Sequence, residues 1–69
     1  MNDDRLIETG ALALYRSENA HRIQEFARLS NAEQVIAGDF ETCRNKYVRK
    51  FQDILTNFDA LGLSVVRAA

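Results

Sequence analysis

Sixty-nine residues hold one domain, and such a chain buries only about 60% of the surface its unfolded form exposes, so packing or association must supply the stability. The single cysteine excludes an internal disulfide, and with one histidine it cannot complete a four-ligand zinc site. Nine basic against ten acidic residues leave no field to draw the chain to nucleic acid or a membrane, while 46% apolar and 28% charged residues describe a folded globular protein.

The N-terminus, Met1-Asn2-Asp3-Asp4, is acidic where a signal peptide would be basic and then apolar. No apolar run approaches the ~20 residues that span a bilayer. The expectation is a cytoplasmic protein with no membrane partner, and the lone cysteine suits a reducing compartment.

There is no proline and only three glycines, so helices can run long. Residues 3–29 read as the first helix, with Asp3 and Asp4 placed at the positive end of its dipole. Its apolar pattern changes phase. Ile7, Ala11 and Leu14 share one face, with Tyr15 at the edge, whereas Ala20, Ile23, Phe26 and Ala27 share another, joined by Leu12. The change falls at Arg16-Ser17-Glu18-Asn19, where either the helix breaks with Ser17 as a new N-cap or it runs on. A favourable i,i+4 pair from Glu18 to Arg22 argues for continuity.

A turn is expected at 29–31, because Ser30 followed by Glu33 has the spacing of a capping box. The second helix is then expected over 31–61, roughly 46 Å long at 1.5 Å per residue. Phe40, Cys43, Tyr47, Phe51, Ile54, Phe58 and Leu61 follow at steps of three and four, so one face carries all seven. Ala32 and Ile36 extend that stripe backwards across Gly38 without loss of phase, which favours one long helix over a break there. Gly62 suits the C′ position of a Schellman motif, with residues 62–69 as a tail.

The fold class expected is therefore all-α: a helical hairpin with a long amphipathic C-terminal helix, assembling into a helical bundle. A three-helix bundle broken at Gly38 is the alternative.

The aromatic content of the stripe is not that of a two-stranded zipper, which prefers β-branched residues and leucine at its core positions. An ordinary intramolecular core would explain it. Val48 and Leu55, however, widen the apolar face beyond what one helix covers. The expectation is a non-catalytic protein–protein interaction module, such as an adaptor, small chaperone or assembly subunit. It would meet another protein or its own copy through Phe40, Tyr47, Phe51, Ile54, Phe58 and Leu61.

The segment Arg44–Lys50 carries four basic residues in seven. Lys46, Arg49 and Lys50 would suit an anionic partner, and a small dimeric helical regulator binding nucleic acid is the alternative function. A solvated outer face explains them as well, with Asp53 offsetting Arg49 and Lys50. Cys43 reads as a small hydrophobe within the stripe, and His21 as a surface residue among Glu18, Arg22 and Glu25. No glycine-rich phosphate loop, carboxylate pair or metal-ligand spacing is present, so neither catalysis nor a cofactor is expected.

Overall fold

The computed structural model describes residues 4–66, so Asp3 and the end of the tail, 67–69, lie outside the described residues. The described residues hold three helices and no strand: α1 (Asp4–Glu18), α2 (Ala20–Phe26) and α3 (Ala32–Ala60). At 1.5 Å per residue the 29 residues of α3 span about 43 Å. That equals the longest dimension of the molecule, 43 × 22 × 18 Å. The long helix is the frame, and α1 and α2 pack on it.

The expected first helix over 3–29 does not form as one piece. It breaks at Asn19 and ends at Phe26. The reason lies in the change of phase. Tyr15 and Ile23 are eight residues apart, which in a straight helix turns them ~80° from each other, yet both bury their side chains in one cluster with Ala11 and Tyr47. Asn19, at φ −120° and ψ 28°, supplies the bend. The backbone ladder still crosses it, from Asn19 N–H to Tyr15 C=O (3.0 Å) and from Ile23 N–H to Asn19 C=O (2.9 Å). Ser17 is not the new cap.

The Glu18–Arg22 pair that argued for continuity gives way to partners across the helix interface. Glu18 accepts from Lys50 Nζ at 2.9 Å, and Arg22 donates to Asp39 Oδ1 at 2.6 Å.

The capping box at Ser30 and Glu33 is also absent. The residue preceding α3 is Asn31, whose side chain makes no capping hydrogen bond, so the helix starts one residue later than Ser30 would set it. Gly38 does not interrupt α3. It lies on the exposed outer face, so its missing side chain removes nothing from the packed side. The alternative bundle broken at Gly38 is thereby corrected: three helices form, but the extra break lies in the N-terminal arm.

At the C-terminal end Gly62 adopts φ +80°, which L side chains rarely take. Leu63 N–H reaches Phe58 C=O at 2.8 Å and Gly62 N–H reaches Asp59 C=O at 3.1 Å, the paired bonds of a Schellman motif.

The core is small: Ile7, Ala11, Tyr15, Ile23 and Tyr47 are the buried hydrophobic residues among those described. Leu12, Leu14, Ile36, Phe40, Cys43 and Val48 pack half-buried against it. Phe51 finds its place over Gly10, where a Cβ would overlap the ring. A glycine inside α1 costs helix propensity of about 1 kcal/mol, and here it opens a seat for an aromatic ring.

The crossing of α1 over α3 is oblique. Tyr15 with Phe40 and Gly10 with Phe51 run in antiparallel order, while Glu8 with Arg44 and Glu18 with Lys50 run in parallel order on the two flanks. Two helices satisfy both sets of contacts only when they cross at an angle.

Candidate interaction surface

The six stripe residues expected at an interface divide into three groups. Tyr47 is 3% exposed and belongs to the intramolecular core. Phe40 and Phe51 are half-buried, one ring tilted at 58° to Tyr15 with centroids 5.4 Å apart, the other over Gly10. Ile54 and Phe58 are half-buried further along α3, and Leu61 is 74% exposed. The α1 helix therefore occupies the middle of the stripe and leaves its C-terminal end.

That end gathers further apolar surface from the tail. Leu63 is 54% exposed and Val66 82%. The Schellman turn at Gly62 directs the chain so that these two follow Leu61 at the same end of the molecule. The sequence stripe did not include Leu63 and Val66. The glycine stop was their signal: it places Leu63 where it would touch Phe58 and leads one to expect 63–66 packed as a tail, whereas Leu63 and Val66 stand exposed. No basic residue stands in the last turn of α3, and Asp59 is exposed there.

The basic residues of α3 separate in the same way. Lys50 is bound to both carboxylate oxygens of Glu18, at 3.1 and 2.9 Å, not offset by Asp53 as the sequence suggested. That contact, above all its hydrogen bond, holds the Glu18 carboxyl below and the Lys50 ammonium above its ordinary range. Lys46 and Lys50 lie 5.2 and 5.7 Å from the Tyr47 ring centroid, in cation–π range. Arg49 is exposed. Of the expected anion-binding trio, one member is already engaged by an internal acid.

A polar clamp joins the three helices. Tyr15 donates its hydroxyl proton to Asp39 Oδ2 at 2.5 Å, and the same carboxylate accepts from Arg22. Burial first, then the hydrogen bond and charge of Asp39, push the Tyr15 hydroxyl up to about 12. Asn19 Nδ2 bridges the bend, donating to Tyr15 C=O at 2.9 Å and to the Tyr47 hydroxyl at 3.0 Å. Tyr47 in turn donates to Glu18 over a long 3.5 Å. Among the described residues no buried side-chain nitrogen or oxygen lacks a partner. These groups are spent on holding helices together, as satisfied buried polar groups usually are.

Between α1 and α3 runs a groove of about 330 Å³, lined by Asp4, Ile7, Glu8, Arg44, Asn45, Val48 and Gln52. Its charged wall is the ion pair of Glu8 and Arg44, whose second contact, Arg44 Nε to Glu8 Oε2, measures 3.4 Å. Arg44 lies seven residues before Phe51 and so one heptad back along the stripe, where a charge among apolar neighbours calls for an acid on the facing helix.

Cys43 is a half-buried free thiol packed against the core, and His21 is exposed on α2, 3.4 Å from Glu25. Among the described residues no group of three or more His, Cys, Asp or Glu could hold a metal ion, and no helix is long and apolar enough to cross a membrane. No protein-family model matches the chain, and no curated protein or solved structure matches it either.

Proposed function

We propose that this chain is a non-catalytic protein–protein interaction module, an adaptor, small chaperone or assembly subunit, that associates through the C-terminal end of the α3 stripe. The observation that carries this reading is the exposure of Leu61, Leu63 and Val66 together, next to half-buried Ile54 and Phe58. Large apolar residues gathered at one end of a small domain mark an association surface more often than singly scattered ones do. The first occupant to test is a second copy, because a chain with so small a core gains stability from association.

Sedimentation velocity over a range of concentrations tests it. The wild type should form a concentration-dependent assembly, and Leu61→Asp with Leu63→Asp should return it to monomer with its helical circular dichroism intact. Nucleic-acid binding with a steep salt dependence, lost in a Lys46, Arg49 and Lys50 triple alanine variant whose oligomeric state is unchanged, would replace this reading with the alternative. The Lys50–Glu18 pair counts against that alternative, since it removes one free cation from the patch.

A further inference from the structure

We propose that α2 is a latch, which opens as a unit between the bend at Asn19 and the turn at residues 27–31 while α1 and α3 remain packed. Its seven residues are well below the length at which an isolated helix holds together in water, roughly 12–15 residues. It begins without a side-chain capping bond and ends in a turn that leads to Asn31, which also lacks one. One of its residues, Ile23, is buried. What holds α2 is therefore chiefly Ile23 in the Tyr15–Tyr47 cluster and the Arg22–Asp39 ion pair, with half-buried Phe26 lying under the Arg22 guanidinium at 5.5 Å.

The boundary of the moving part is set by Asn19. Its backbone is already bent, and its side chain is tied to Tyr15 and Tyr47, on the α1–α3 side of the bend. The contacts that survive opening are numerous: Gly10 with Phe51, Glu8 with Arg44, Glu18 with Lys50, and the Tyr15 hydroxyl on Asp39. Asp39 belongs to both sets. When Arg22 leaves, the carboxylate keeps the Tyr15 hydroxyl and gains water, so release does not strand a buried charge. Opening also takes Ile23 away from the cluster against which half-buried Ile36 and Phe40 pack, so the N-terminal half of the stripe is more fully uncovered in the open form. Local openings of this kind cost less than global unfolding where few apolar contacts must break.

Native-state hydrogen exchange, read residue by residue under rising sub-denaturing urea, tests the latch. The amides of Ile23 and Ala27 should exchange on the order of tenfold or more faster than those within α1 and the middle of α3, with a shallow urea dependence. Arg22→Ala should raise exchange in α2 at least a further two- to fivefold or so, since the pair joins an exposed guanidinium to a mostly covered carboxylate, and leave α1 unchanged. Ile23→Ala should release α2 more fully while the α1–α3 amides stay protected. Exchange of α2 along the same steep urea line as the core, or an Ile23→Ala chain that loses all its protection at once, would overturn the proposal.

Discussion

Two glycines lie inside helices, and the same substitution should act on them with opposite sign. At Gly38 a Cβ meets nothing within 4 Å, and the site is exposed, so Gly38→Ala adds a side chain without a clash. The gain is the helix propensity difference, about 0.8–1 kcal/mol. For a domain of this size that should raise Tm by roughly 4–8 °C. At Gly10 the same propensity gain is present, but the new Cβ falls on the Phe51 ring. Phe51 must then leave its seat or α1 must lift from α3, and overpacking of this kind costs ~1–3 kcal/mol. The net change expected for Gly10→Ala lies between about zero and 2 kcal/mol of destabilisation. Urea and thermal unfolding followed by circular dichroism measure both variants. A double-mutant cycle sharpens the test: in a Phe51→Leu background the ring is gone, and Gly10→Ala should recover most of its helix gain. If Gly10→Ala alone stabilised the protein as much as Gly38→Ala does, Phe51 would not be seated on Gly10, and the packing of α1 on α3 described above would be wrong.

Four further outcomes are expected. Tyr15, buried and bonded to Asp39, is held neutral in the fold, its hydroxyl pushed up to about 12 from 10. Its contribution is thus fully present below pH ~10 and lost as pH rises through about 12; tyrosinate absorbance should rise over the same pH range in which stability falls. Gly62→Ala forces an L residue to φ +80° and should cost about 1–2 kcal/mol, read as a lower urea midpoint with unchanged slope. Phe51→Ala removes a ring from the α1–α3 contact and should cost up to ~3–5 kcal/mol, about the whole stability of a domain this small, abolishing both helicity and assembly. Exposed Arg49→Ala should shift stability by no more than ~0.5 kcal/mol, and a folded, fully helical Phe51→Ala monomer would show that the Phe51 ring on Gly10 does not hold α1 to α3.

Helical content, the unbroken passage of α3 through Gly38 and the stop at Gly62 were legible from residue order alone. Each depends on contacts within a turn or two: apolar spacing near 3.6, the absence of proline, and a glycine free to take positive φ. The phase change before Asn19 was visible too, but not its resolution. A straight helix with a Glu18–Arg22 pair and a bent helix satisfy the same local rules. The bend prevails because Tyr15 and Ile23 reach one core only if the chain turns, and because Lys50 and Asp39 on α3 offer partners that no local count includes. The stripe poses the same limit. Spacing assigned Phe40, Tyr47, Phe51 and Leu61 to one face without saying what lies against it. The oblique crossing of α1 decided that, burying Tyr47, seating Phe51 on Gly10 and leaving Leu61 in the open. Local periodicity determines which side chains share a face; only the path of the remaining chain determines which of them are covered.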